Sequence, residues 1–174
     1  MRQKIVFALS IILVGCIILA TRVYMIDIPI YRFFGGGREL NPATLHLAGE
    51  FVESNLGTTR EPDGSYTVRV VATQYMFVPH CMEVPVGVPV RFRVTSADIV
   101  HGLTFTNLRR IIKVTPGTIS EAVFEFPNLG EFDLPCSEFC GPGHFAMRSH
   151  IRVLPADQFA NLRPDQRRSC DAPQ

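Results

Sequence analysis

From Pro62-Asp63-Gly64 onward, apolar residues fall at every second position in short runs, and that pattern constrains the fold more than any other. Tyr66, Val68 and Val70 alternate with Thr67 and Arg69, and Val90, Phe92 and Val94 alternate with Arg91 and Arg93. Leu103 and Phe105 alternate with Thr104 and Thr106, and Val123-Phe124-Glu125-Phe126 and Ile151-Arg152-Val153 complete the set. A period of two places one side-chain row in a core and the other in water. The gaps hold turn formers: Pro85-Val86-Gly87, Pro116-Gly117 and Pro127-Asn128-Leu129-Gly130. Short strands at regular spacing with such turns predict an all-β antiparallel sandwich or barrel over residues 61–155.

The N-terminus has another texture. Arg2 and Lys4 precede Ile5–Thr21, a run of 17 residues without a charge. As a helix that run is about 26 Å long, slightly under a bilayer core, and Val23–Ile26 could extend it while Arg22 snorkels. Positive residues ahead of it put the N-terminus in the cytoplasm and the rest outside. We expect a single membrane anchor over residues 1–26. A cleaved signal peptide, or lipid attachment at Cys16 within Leu13-Val14-Gly15-Cys16, are alternatives that deliver the remainder to the same side. Residues 27–60 form a juxtamembrane segment containing the Gly35-Gly36-Gly37 break and a short helix opened by Asn41-Pro42, with Leu45, Ala48, Phe51 and Val52 at helical spacing. Residues 156–174 are a polar, poorly ordered tail. Net charge is +1, so there is no basic footprint for nucleic acid. The five cysteines are scattered, with Cys81 and Cys170 standing alone, which does not resemble a disulfide framework.

The chemistry is concentrated in Cys136-Ser137-Glu138-Phe139-Cys140-Gly141-Pro142-Gly143-His144-Phe145-Ala146-Met147. Two thiols, an imidazole and a thioether within twelve residues are soft donors that select copper, zinc or iron–sulfur over magnesium or calcium. Zinc sites do not use Met, so Cys-x3-Cys-x3-His-x2-Met is better explained by copper. His101, between two strands, is the distant candidate ligand. Cys140, His144, Met147 and His101 would suffice for a mononuclear blue-copper site. Cys136 is surplus to such a site, whereas two thiolates can bridge two coppers. The remaining candidates read as structural: a Cys136–Cys140 disulfide is disfavoured, and His46, His80, Cys81 and His150 have no evident ligand partners. Asp98 either orients the His101 loop or is a plain turn residue.

With these motifs in view, the chain resembles subunit II of haem–copper cytochrome c oxidases, which carry the CuA centre. The shared segments are Thr95-Ser96-Ala97-Asp98-Ile99-Val100-His101-Gly102, Cys136-x-Glu-x-Cys140-Gly-x-Gly-His144-x-x-Met147 and Val114-x-Pro116-Gly117. They span about residues 64–155, and the single N-terminal run resembles the ba3-type branch. The resemblance implies a cupredoxin-like barrel behind one transmembrane helix, with the copper domain on the extracytoplasmic side. It implies that Cys136 and Cys140 bridge two coppers, with His101 and Met147 completing one and His144 and the Glu138 carbonyl the other. It implies electron transfer from cytochrome c to haem in subunit I, and makes the Glu138 carboxylate a candidate for Mg²⁺ at the subunit I contact. Many relatives have a Trp for electron entry, and this chain has none; Tyr75 or Phe77 in Gln74-Tyr75-Met76-Phe77 stand in its place. Near-neutral charge points to donor docking through apolar surface around His144. A mononuclear copper carrier and the copper subunit of a nitric oxide reductase are the rival readings.

Overall fold

The computed structural model describes residues 10–19 and 40–170. The chain divides into two units, Met1–Gly35 and Gly36–Gln174, and each is taken by itself. In the first, residues 10–19 are helical. Among the described residues no helix is long and apolar enough to cross a membrane. The remainder of the expected anchor and the triple glycine lie outside the described residues.

Among the described residues the second unit holds ten strands: β1 (Gly57–Arg60), β2 (Tyr66–Thr73), β3 (Met76–Val78), β4 (Cys81–Pro85), β5 (Val90–Ser96), β6 (His101–Phe105), β7 (Arg110–Val114), β8 (Ser120–Phe124), β9 (Gly130–Pro135) and β10 (Arg148–Leu154). One sheet runs β1-β2-β5-β8, with β3 also paired to β2. A second runs β4-β10-β9, and β6 and β7 form a separate pair. A bridge between Leu103 and Cys136 ties that pair to the segment after β9.

The expectation of a purely antiparallel barrel is corrected here. β2 runs parallel to β5, and β4 parallel to β10. The reason is the excursion between β2 and β5. After Thr73 the chain lays down β3, crosses to the other sheet as β4, and returns, so β5 comes back in the direction of β2. Parallel neighbours require a crossover of this kind.

The alternation seen in the sequence places side chains as expected. Val90, Phe92 and Val94 are fully buried, while Arg91 and Arg93 face outward. Phe92 sits against Phe105, Phe124 and Phe126 at ring-centre distances of 4.9, 5.7 and 6.0 Å. Each buried phenylalanine contributes roughly 1.5–3 kcal/mol, and edge-on pairs add to that. On the outer face, Arg69 reaches Glu50 at 3.1 Å and Glu61 at 2.9 Å, and Arg93 pairs with both Glu50 and Glu121.

Those ion pairs explain the segment ahead of the barrel. The expected helix after Pro42 is instead two single 3-10 turns, Pro42–Thr44 and Glu53–Asn55. Gly49 lies between them with φ +95° and interrupts any continuous helix. The apolar spacing still reports burial: Leu45 and Phe51 pack inward while Glu50 clamps Arg69 and Arg93. β1 also precedes residue 61 and pairs along Tyr66–Arg69.

The tail is a further correction. Residues 156–170 are ordered by specific contacts. Phe159 is fully buried and meets Tyr66 edge-on at 5.9 Å, and the Tyr66 hydroxyl donates to the Phe159 carbonyl. The Arg168 guanidinium stands 4.6 Å over the Phe159 ring and pairs with the buried Glu83 carboxylate at 2.9 Å. Arg168 and Thr58 exchange two backbone hydrogen bonds of 2.9 Å. Cys170 forms a disulfide with Cys81, 89 residues away. The two cysteines read as solitary in sequence are therefore one cross-link, and their separation hid it.

Candidate metal centre

His101 opens β6 directly after the turn Asp98-Ile99-Val100, so its imidazole is aimed from a strand end and is fully buried. Cys136 follows β9. Its N–H donates to the Met147 carbonyl at 3.0 Å, closing the twelve-residue loop at its base. Ser137 N–H donates to the Gly102 carbonyl at 3.0 Å, which draws the loop onto the His101 segment. Gly102 permits this approach, since a Cβ there would lie 2.2 Å from Ser137 Oγ. Further along, the Gly141–Gly143 bend and a 3-10 turn at His144–Ala146 bring His144 and Met147 back toward Cys140.

The donors converge. Cys136 Sγ lies 3.9 Å from His101 Nδ1 and 3.3 Å from the Glu138 carbonyl oxygen. Cys140 Sγ lies 3.6 Å from His144 Nδ1 and 3.5 Å from Met147 Sδ. The ligand atoms of His101, Cys136 and Cys140 are mutually within 4.8 Å. Both cysteines are free thiols, so the disfavoured Cys136–Cys140 disulfide is absent. The six residues expected at the site are thus brought together, with the backbone carbonyl of Glu138 facing the Cys136 sulfur. Burial, and then the neighbouring Cys136, push the Cys140 thiol up to about 11. Two thiolates this close and this dry are unfavourable on their own, and a bound cation removes the penalty.

Asp98 orients the assembly. Its carboxylate accepts from His101 Nε2 at 2.8 Å, from Ile99 N–H and Gln74 N–H at 2.6 Å, and from Thr73 Oγ1 at 3.1 Å. With Nε2 tied to a carboxylate, Nδ1 is the nitrogen left for a metal. Burial raises the Asp98 pKa, but the hydrogen bonds outweigh it and hold the carboxyl at about 2. Above about pH 5 the carboxylate is charged whether the chain is folded or not, and its stabilisation is complete. It is lost as pH falls through the folded value, amounting, after a discount for solvent screening at this partly exposed group, to about 1 kcal/mol for the metal-free chain. Asp98→Asn is expected to remove that increment at neutral pH and to flatten the acid limb. Urea midpoints of both proteins at pH 6 and pH 2.5 measure it, and parallel declines would refute the assignment.

Sequence reasoning missed two supports. The Gln74 side-chain amide donates to the Cys140 carbonyl. The Tyr75 ring lies on the loop so closely that a Cβ at Gly143 would sit 2.6 Å from it. Neither residue type signals such a role locally. On the open side His144 is half-buried between Phe139 and Phe145, whose rings stand 5.6 and 5.3 Å from it. These two phenylalanines are 74% and 84% exposed.

Fold and site together define a cupredoxin-like barrel that gathers a cluster of soft donors able to hold a metal. The family model of the cytochrome C oxidase subunit II periplasmic domain matches residues 65–154. A cytochrome c oxidase subunit 2 of Thermus thermophilus is 30% identical over 114 residues, covering 66% of this chain and 84% of that protein. A second Thermus thermophilus protein of the same description is also 30% identical over 114 residues and is covered over 68% of its length. The chain belongs to the cytochrome c oxidase subunit II family. Its fold is similar to the periplasmic domain of subunit II of Bradyrhizobium japonicum cytochrome oxidase, with TM-score 0.50 and 27% identity over 54% of this chain and 87% of that one. A chain of a heme-copper terminal oxidase dimer shares the fold at TM-score 0.56 and 22% identity, over 84% of this chain and 99% of that one. Membership makes the protein part of an oxidoreductase complex, with its barrel domain on the extracytoplasmic side.

Proposed function

We propose that this chain is the electron-input subunit of a terminal cytochrome c oxidase. It accepts electrons from cytochrome c at a binuclear copper centre and passes them to haem in subunit I, where O2 is reduced. The observation that carries this reading is the pair of buried free thiols, Cys136 and Cys140, converging with His101, His144, Met147 and the Glu138 carbonyl. The donor set fits copper. Thiolate, imidazole and thioether are the ligands copper prefers, and magnesium and calcium do not. Cys136 and Cys140 would bridge two ions, His101 and Met147 would complete one, and His144 and Glu138 the other. Bound there, the copper pair supplies a centre that takes up and releases one electron at a time.

The chain's own residues set the conditions for that chemistry. Asp98 fixes the His101 ring, the Met147 N–H closes the turn at His144, and Gln74 and Tyr75 brace the loop from outside. A rigid ligand set changes little between oxidation states, which keeps the activation cost of electron transfer low. Burial of Cys136, Cys140 and His101 excludes water. Phe139 and Phe145 offer an apolar rim around His144 for the donor cytochrome, in keeping with the near-neutral net charge. Residues 1–26 would hold the chain in the membrane, and the Glu138 carboxylate would supply a hard oxygen to Mg²⁺ at the subunit I contact. Metal analysis and EPR of the full chain test the central claim. Two coppers per chain with a mixed-valence signal are expected; one copper with an ordinary four-line signal would overturn it.

A further inference from the structure

Outside the copper loop, three residues from three neighbouring segments meet at one surface position. His80 immediately precedes β4, His150 is on β10, and Asp133 is on β9. β10 lies between β4 and β9, so the register sets His150 beside Asp133 on one side and Cys81, the neighbour of His80, on the other. The backbone at His80 is pinned, because its carbonyl accepts from His150 N–H at 2.9 Å and from Ser149 Oγ at 2.6 Å. The two imidazole rings stand 5.1 Å apart, tilted by 58°. His150 Nδ1 is 2.9 Å from Asp133 Oδ1. Arg148 is the other charged neighbour, 3.9 Å from the far Asp133 oxygen and half exposed.

We propose that His80 and His150 form a second metal site, distinct from the copper centre, that takes a borderline divalent transition ion such as Zn²⁺ or Cu²⁺. The geometry suits one. With metal–nitrogen bonds of about 2.0–2.1 Å, two imidazoles on one tetrahedral ion have ring centres roughly 5 Å apart. Imidazole nitrogen and carboxylate oxygen are the donors that zinc and copper(II) accept, and magnesium and calcium do not favour imidazole. Asp133 has the role a carboxylate commonly has behind a metal-bound histidine. It accepts a hydrogen bond from the Nδ1–H of His150, which fixes the tautomer and leaves Nε2 as the ligand. His80 is exposed, so its ring can turn to meet an ion held on His150, and water completes the coordination. The site goes beyond the electron-transfer reading and does not depend on it.

Calorimetric titration of the copper-loaded full chain with Zn²⁺ alone tests the proposal, with His80→Asn, His150→Asn and Asp133→Asn beside the parent. The parent is expected to take up one more Zn²⁺ than either histidine variant, or to bind it more than about tenfold more tightly. Asp133→Asn is expected to weaken binding by about tenfold with both histidines in place. Zn²⁺ uptake unchanged in His80→Asn and His150→Asn would overturn the site. His80 is exposed, so His80→Asn alone decides the matter if His150→Asn does not fold. The readout is a difference between variants, so any zinc entering through Cys136 and Cys140 in an incompletely loaded chain cancels. Failure of the copper reading therefore stays separable from failure of this one.

Discussion

Cys136→Ser is expected to reduce the copper content of the full chain from two ions to one or none, and to abolish the mixed-valence signal. Cys136 is the residue a one-copper site does not need. Cys140, His144, Met147 and His101 already supply the donors of a mononuclear centre, and the structure gathers all four. Serine keeps the small size of the side chain and its backbone contacts to Met147, but its hydroxyl is a hard donor and does not ionise near neutrality. The barrel is therefore expected to survive while the bridge is lost. Metal analysis gives the stoichiometry, EPR the electronic state, and circular dichroism the fold control. A folded variant that retained two coppers and an unchanged spectrum would sink the bridging role. A parent that bound a single ion from the start would sink it as well.

Removing the Cys81–Cys170 link in a Cys81→Ser/Cys170→Ser double variant is expected to cost the domain about 4 kcal/mol, with a fall in Tm of roughly 10 °C. The cross-link closes a loop of 89 residues, so its removal restores much conformational freedom to the unfolded chain. The contacts beneath it are extensive. Phe159 is fully buried, and Glu83, itself nearly buried, balances its charge on Arg168 and Arg152. These contacts are expected to keep the tail docked at room temperature, so the variant should still bind metal while melting earlier. Thermal melts of both proteins under identical copper loading provide the measurement. A change in Tm of under about 2 °C would show that the cross-link contributes little beyond the contacts it covers.

The corrections to the sheet and to the tail share a cause. Strands with one wet face were legible, because β2, β5, β6 and β10 show alternation directly. β4 did not, since Cys81-Met82-Glu83-Val84-Pro85 is buried on both faces, one against the core and the other under the tail. β1 did not either: Gly57-Thr58-Thr59-Arg60 is polar, and its burial comes from Arg168 and Pro164 far along the chain. Parallel pairing and the Cys81–Cys170 link are relations between distant segments that no local pattern encodes. The metal loop was legible for the opposite reason. Four of the six residues proposed as ligands, Cys136, Cys140, His144 and Met147, lie within twelve residues, and their types and spacing pointed to copper without tertiary information, whereas Glu138 came only with the family resemblance. His101 needed the strand-end placement to be found. Asp98, left open between two roles, proves to hold that histidine, whereas Gln74 and Tyr75 act through contacts that only folding reveals.

The Cys81–Cys170 pair also bears on how the protein matures. Four cysteines of the folded unit emerge on the extracytoplasmic side, and any two of them joining in a single disulfide gives six possible links, of which the fold holds one. Only the pairing of Cys81 with Cys170 leaves Cys136 and Cys140 able to hold metal. Synthesis works against it, since Cys136 and Cys140 are both made before Cys170 and are available to Cys81 first. In the closed barrel the loop thiols are 8% and 1% exposed, so folding itself keeps them from Cys81 while Cys170 is brought to β4. A barrel that closes before Cys81 is oxidised therefore favours the one link that leaves the loop thiols free.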